Sequence, residues 1–306
     1  MPHIALVSTF DALALDEDMP PLVAALVRAG VKVATPCWDD ATVDWSSFDL
    51  ALLRSTWNYV ERIDAFRAWT RRCAQQTRLC NPPEVVDWNT DKHYLAHLHR
   101  AGVPVVPSRF VEPGEDARAA LQHFLAGGAD SLSAGRAMPF DQFVIKPSIG
   151  AGSRDTARYR GSDATGALEH LSRLVVVEQR SALLQPYLAS VDELGETALI
   201  YLGGEASHAI RKGPLLRLDS ALVTGLFAPE QITAREPGTD ERVLAAAAYA
   251  AIPFDAPLYA RIDMIRDERG APVILELELT EPSIFLVHAP GSAERLARLL
   301  VACCSG

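Results

Sequence analysis

The feature that most constrains this chain is a pair of alternating segments near its C-terminus. Tyr259-Ala260-Arg261-Ile262-Asp263-Met264-Ile265 and Ile274-Leu275-Glu276-Leu277-Glu278-Leu279 interleave charged and apolar residues with a period of two. Successive side chains of a strand point to opposite faces, so Arg261 and Asp263 share one face, and Glu276 and Glu278 share another opposite the leucines. The turn-forming Asp267-Glu268-Arg269-Gly270 between them predicts an antiparallel hairpin that brings the acidic faces together. Carboxylates crowded in this way raise one another's pKa unless a cation sits among them. Hard oxygen donors in this pattern suit Mg²⁺, above all one shared with phosphates. A solvated polar face on an edge hairpin is the plainer alternative.

Upstream, residues 1–107 alternate strand and helix patterns. Ile4–Val7, Val31–Pro36 and Leu50–Leu53 read as buried strands, and Pro21–Gly30 and Ala65–Gln75 as helices. That order predicts a parallel sheet with helices on its faces, in which ligands bind beyond the carboxyl ends of the strands. The polar segments there are Thr9–Asp18 and Arg54–Tyr59. From about residue 108 the texture changes. Val111-Glu112-Pro113-Gly114 opens a helix, Gly127–Ala137 is a loop of small residues, and Leu183–Leu188 and Glu196–Leu202 look extended. Gly203-Gly204 signals a hairpin into Ala206–Arg211, and Asp240–Ala251 and Ser292–Cys303 read as helices. The expected organisation is a domain over 1–107 and α+β subdomains over 108–188 and 189–306.

Composition narrows the partners. With 306 residues, 49% of them hydrophobic, the chain can bury a full core. A formal net charge of −10 without a basic cluster argues against nucleic acid. No apolar stretch reaches the roughly 20 residues a bilayer needs, and the N-terminus lacks the charged start of an export signal. The five cysteines show no CxxC spacing, which fits reduced thiols in the cytoplasm. Lysine appears only at Lys32, Lys92, Lys146 and Lys212, so each position asks for a reason.

Two of those lysines stand in suggestive places. Phe143-Val144-Ile145-Lys146 is a strand ending in lysine, followed by Pro147-Ser148-Ile149-Gly150-Ala151-Gly152-Ser153. Exposed backbone N–H groups at Gly150, Gly152 and Ser153 could cradle a phosphate beside the ammonium; a plain tight turn is the other reading. The segment has neither the Walker nor the Rossmann pattern. Arg154–Arg160 looks extended, so the glycines should cap a hairpin flap. In Asn89-Thr90-Asp91-Lys92-His93-Tyr94, Thr90 reads as an N-cap, placing Lys92 in a first helical turn where the macrodipole disfavours a cation. That hints at a nearby anion, against the bland reading of an exposed lysine. Leu184-Gln185-Pro186-Tyr187-Leu188 is a strand broken by proline, with unpaired main-chain groups open to an adenine edge. Asp192, Glu193 and Glu196 beyond it could accept from ribose hydroxyls; a linker with surface charges is the other reading.

Taken in order, these four segments resemble the ATP-grasp superfamily in its glutathione-synthetase-like branch, over nearly the whole chain. The resemblance implies that Lys92 and Lys146 touch ATP phosphates, that Gln185–Leu188 binds adenine, and that Asp263, Glu276 and Glu278 ligate two Mg²⁺. It further implies that Arg211 and Arg261 stabilise the transferred phosphoryl group. Glu278 stands where the family usually has asparagine, which leaves the metal number open. Thr9-Phe10-Asp11-Ala12-Leu13 with Asp16-Glu17-Asp18, Arg54-Ser55-Thr56-Trp57-Asn58-Tyr59, and Thr280-Glu281-Pro282-Ser283 are similar to the ligases that close O-ureido-serine into cycloserine. The implied reaction phosphorylates a substrate carboxylate, which a nitrogen of the same molecule then attacks. The implied substrate is small and amino-acid-like, with Asp11, Asp16, Arg54, Thr56, Asn58 and Ser283 as its expected contacts; a homodimer is compatible with this reading.

Other motifs weigh less. His93, His97 and His99 lie on one helical stretch, but no HExxH pattern accompanies them, so zinc is disfavoured. Cys37 and Cys80 lack an assignable base, and no serine sits in a GxSxG elbow. The five tryptophans read as packing, except Trp57 at a strand's carboxyl end.

Overall fold

A computed structural model describes residues 1–127, 140–162, 164–218 and 231–304. Most of the small-residue loop expected at Gly127–Ala137 lies outside them. The first sheet is parallel, in the order β2-β1-β3-β4, from β1 (His3–Ser8), β2 (Lys32–Ala34), β3 (Leu50–Ser55) and β4 (Arg78–Cys80). Helices α1 (Met19–Arg28) and α2 (Ile63–Ala74) connect the strands, as alternation predicts. β1 and β3 are buried almost throughout, whereas β2 is a shorter, half-exposed edge rather than the buried Val31–Pro36 strand expected.

Helices α3 (Pro83–Asn89) and α4 (Tyr94–Arg100) follow. The Thr90 expectation fails here. Thr90 ends α3 instead of opening a helix, and its hydroxyl donates back to the Val86 carbonyl at 2.9 Å. Asp91 takes the opening role by accepting from the His93 N–H at 3.1 Å, which leaves Lys92 in the break between the helices.

The second sheet is antiparallel, ordered β5-β8-β6-β7, from β5 (Arg109–Val111), β6 (Gln142–Pro147), β7 (Ala157–Arg160) and β8 (Ala182–Pro186). Helices α5 (Ala117–Leu125) and α6 (Ala164–Ser172) cover one face. α5 starts later than Val111–Gly114 suggested, because Asp116 accepts from the N–H groups of Arg118 and Ala119. β6 and β7 form the expected hairpin around the glycine loop.

After the short α7 (Ser190–Leu194), the third sheet is antiparallel, ordered β11-β10-β9-β12-β13. Its strands are β9 (Glu196–Leu202), β10 (Glu205–Lys212), β11 (Ile232–Arg235), β12 (Tyr259–Arg266) and β13 (Pro272–Glu278). The Gly203-Gly204 turn has φ of 62° and 85°, a left-handed geometry that glycine adopts without steric cost. Helices α8 (Thr239–Ala250) and α9 (Ser292–Cys304) complete the chain.

The cores cross these segments. β9 sends Ala198, Ile200 and Leu202 into a cluster with α1, α9 and the first sheet, and Leu199 and Tyr201 into another with α4 and α8. One face of the third sheet therefore begins apolar, at Ile200 and Tyr259, and turns polar further along at Arg261 and Asp263. That polar half lines a cavity between the second and third sheets.

Candidate active site

The β12–β13 pairing sets Asp263 opposite Glu276 and Arg261 opposite Glu278. The acidic faces meet as alternation predicted. A register shift between Asp263 and Met264 modifies the pattern, for a bulge places two residues against one. Leu275 consequently leaves the other leucines and packs with Ile265, Val273 and Leu188, on the cavity side with Glu276.

Each of the three acids is held by cations. Asp263 accepts from Arg261 Nε and Nη2 at 2.9 and 2.8 Å and from Lys212 Nζ at 2.9 Å. Burial alone would raise its pKa, but Arg261 and Lys212 hold it well below the usual carboxylate range. Glu276 accepts from Lys146 Nζ at 2.7 Å, with Lys92 Nζ 3.9 Å away. Against its burial, these ammoniums lower it to about 2. Glu278 pairs closely with Arg261. Burial dominates there, Asp263 and Glu276 add to it, and the carboxyl is pushed up to about 7. Lys146 is displaced downward by burial, with Glu276 opposing and Lys92 reinforcing.

Three of the four lysines converge on this cavity. Lys92 donates from its backbone N–H to the Ser148 carbonyl at 2.9 Å and from Nζ to the Gly150 carbonyl at 3.0 Å, strapping the glycine loop from outside. Lys146 ends β6, and Lys212 ends β10, where it also pairs closely with Glu196. The family resemblance implies Arg211 in that region, but the structure does not bring it to the cavity. Its guanidinium donates to the carbonyls of Leu194 and Glu193, because alternation turns it to the face opposite Lys212. The scarcity of lysine was the signal that could have found Lys212.

Gly150, Gly152 and Ser153 line the cavity, with φ of 62° at Gly152 and 60° at Ser153. At the far end Val144, Leu188, Ile265 and Leu275 form an apolar slot beside Gln185 and Tyr187. Gln185 is buried and donates to Ser108 Oγ at 2.9 Å. The Tyr187 N–H is taken by the Gln142 carbonyl at 2.8 Å, and its hydroxyl donates to Asp192 at 2.5 Å. Asp192 also pairs with Arg158, whose guanidinium lies 3.4 Å from the Tyr187 ring centre; Glu196 lines the cavity and Asp192 does not.

At the other end the outcome for the expected substrate contacts is mixed. Ser283 lines the cavity; Asp11, Asp16, Arg54, Thr56 and Asn58 do not. Asp11 is exposed on the loop after β1. Arg54, 1% exposed, donates to Asp16, to Asp18 at 3.0 Å and to the Pro282 carbonyl at 3.1 Å. Asp18 in turn accepts from the N–H groups of Ile284, Phe285 and Leu286. These residues form a buried strut between the N-terminal loop and the segment after β13. Thr56 is fully buried, and Asn58 accepts from the Trp38 indole at 2.7 Å. Trp57, Tyr59 and Glu281 line the cavity in their place.

The donor set fits magnesium: three carboxylates on one sheet face, one of them raised chiefly by burial, border a cavity rich in ammonium groups. Among the described residues no three His, Cys, Asp or Glu side chains are gathered closely enough to hold a metal ion by themselves. His93 is engaged otherwise, between Asp91 at 2.6 Å and Glu112 at 2.8 Å, and stacks on Phe110 at 3.9 Å.

Comparisons with known proteins agree with this geometry. Residues 4–81 match the family model described as the N-terminal domain of D-cycloserine synthetase DcsG. The cycloserine biosynthesis protein DcsG of Streptomyces lavendulae is 40% identical over 302 residues, 97% of each chain. The crystal structure of D-cycloserine synthetase DcsG superposes with a TM-score of 0.89 at 38% identity, covering 99% of both chains. A D-alanine–D-alanine ligase from Bacillus anthracis, at 15% identity and a TM-score of 0.65 over 100% of this chain and 98% of its own, shares the ATP-grasp fold. Among the described residues no helix is long and apolar enough to cross a membrane. The chain belongs to the D-cycloserine synthetase DcsG family, and is thereby an ATP-dependent ligase of the ATP-grasp fold that forms carbon–nitrogen bonds.

Proposed function

We propose that this chain closes O-ureido-D-serine into D-cycloserine at the expense of ATP. The observation that carries the reading is full-length similarity to a D-cycloserine synthetase together with one cavity that gathers Lys92, Lys146, Lys212, Arg261, Asp263, Glu276 and Glu278. In the balanced reaction the substrate carboxylate takes the γ-phosphoryl group and ADP leaves. The nitrogen on the side-chain oxygen then attacks the carbonyl carbon, forming the ring C–N bond and expelling phosphate. Water removes the carbamoyl group as CO2 and ammonia.

Phosphoryl transfer needs positioning and charge neutralisation more than covalent help from the protein. Lys92 and Lys146, which border the cavity beside Glu276, would neutralise phosphate oxygens. Asp263, Glu276 and Glu278 would hold Mg²⁺, which would offset the charge of the phosphates. Arg261 faces the reacting group between Asp263 and Ser283, donating to the Ser283 carbonyl at 3.1 Å. The Gly150–Ser153 loop covers the site and excludes water, which would otherwise hydrolyse an acyl phosphate. The apolar slot at Leu188, Ile265 and Leu275 receives adenine.

Mass spectrometry of the products tests the reading. With Mg²⁺, ATP and O-ureido-D-serine alone, the proposal expects cycloserine and ADP in equal amounts. Product that appears only with a separate amine would identify an intermolecular ligase instead.

A further inference from the structure

The cavity holds one carboxylate more than phosphate and metal chemistry accounts for. Asp263, Glu276, Glu278 and Glu196 are each ion-paired to a lysine or arginine of the chain. Glu281 lines the same cavity and is only 8% exposed, yet among the described residues it makes no ion pair. Its carboxyl accepts a hydrogen bond from the Tyr59 hydroxyl. Tyr59 is itself buried and stacked on Phe66, with ring centres 5.0 Å apart. The Trp57 indole donates to the Glu281 carbonyl at 3.2 Å, fixing the backbone beneath that side chain. A rigidly held, buried carboxyl without a protein cation keeps its proton, and ionises at low cost only when a ligand supplies the positive charge.

We propose that Glu281, positioned by Tyr59 and Trp57, is the seat for the α-ammonium group of an amino-acid substrate. The placement suits the chemistry. Arg261 donates to the Ser283 carbonyl, two residues from Glu281, so the seat adjoins the phosphoryl-facing arginine. In an α-amino acid the ammonium and the carboxylate are separated by a single carbon. A substrate anchored at Glu281 therefore presents its carboxylate toward Arg261 and the metal-binding face. The inference rests on the cyclo-ligase reading for the identity of the amino acid, not for the seat itself.

A cycle on protein and ligand tests it. Calorimetry with Mg²⁺ and ADP present compares O-ureido-D-serine with its desamino counterpart, 3-(ureidooxy)propanoate, on wild type, Glu281→Gln and Tyr59→Phe. Wild type should bind the desamino compound on the order of 10–100-fold more weakly, the worth of a charge-assisted hydrogen bond. Glu281→Gln should bind both compounds about equally weakly, while Tyr59→Phe should keep part of the discrimination. ADP affinity and thermal midpoint, read on the same samples, should stay near wild type, since the amide is isosteric. The proposal is overturned if wild type does not discriminate, or if Glu281→Gln discriminates as wild type does. It is also overturned if that variant raises only the Mg²⁺ requirement, which would make Glu281 a metal ligand. Ammonium-dependent binding through Glu281 in a protein that forms no ring product would retain the seat and refute the cyclisation.

Discussion

Replacing Glu276 with glutamine separates the structural role of that carboxylate from its proposed catalytic role. It accepts from Lys146 Nζ at 2.7 Å and lies 3.9 Å from Lys92 Nζ, and these lysines are 6% and 8% exposed. Removing one member of a buried ion pair costs about 3–5 kcal/mol. The amide oxygen still accepts from Lys146, so the loss should be nearer that of one charge-assisted bond, about 1.5–3 kcal/mol. For a chain of this size that corresponds to a drop of roughly 2–5 °C in thermal midpoint. The two freed ammoniums should leave ATP affinity without metal within a few-fold of wild type. Turnover should behave differently, because a neutral amide oxygen holds a divalent metal more weakly than a carboxylate and no longer offsets its charge: ADP release should fall by about 100-fold or more. Calorimetric scanning, metal-free ATP titration and an ADP-release assay on one preparation read the three quantities. Near-normal turnover at limiting Mg²⁺ would refute the metal assignment, and an unchanged midpoint would refute the buried pair.

Three further outcomes follow from the same geometry. Lys212→Met strips Asp263 and Glu196 of a buried partner and should lose about 3–5 kcal/mol of stability together with activity, whereas Arg211→Ala should keep kcat within a few-fold; the reverse order in steady-state assays would restore Arg211 to the site. Asp18→Asn removes the charge that holds Arg54 and three backbone N–H groups, so urea denaturation should show a loss of about 3 kcal/mol, and an unchanged midpoint would contradict the strut. Glu278 and Glu281 are raised from 4.5 to about 7 and about 8, so the metal-free folded state keeps protons that the unfolded chain releases. The stabilisation they give is complete below pH 4.5 and is lost as pH rises through about 7 to 8, so the midpoint should fall between pH 5 and pH 8. Glu278→Gln should flatten that slope.

What was legible in the sequence was what local periodicity controls. The β12–β13 pairing, the Gly203-Gly204 hairpin, the glycine flap after Lys146 and the parallel first sheet all follow from alternation, turn chemistry and strand–helix order. The bulge that diverts Leu275 left no trace in the pattern, since one extra residue in a strand changes faces without changing composition. Arg54 and Asp16 look like ligand contacts on a loop because the partner that buries them, the Pro282 carbonyl, lies 228 residues away in sequence. Thr90 satisfied the composition rule for an N-cap but lost the position to Asp91, which the rule ranks higher. Lys212 was missed because its strand was read one residue too short.

Isotope transfer from the substrate tests the central claim most directly. O-ureido-D-serine labelled with ¹⁸O in its carboxylate is turned over with unlabelled ATP and Mg²⁺, and the inorganic phosphate is analysed by mass spectrometry. Passage through an acyl phosphate predicts one ¹⁸O in each phosphate released, matched by one labelled oxygen in the ring carbonyl. Unlabelled phosphate accompanying ring product would contradict carboxylate activation by ATP.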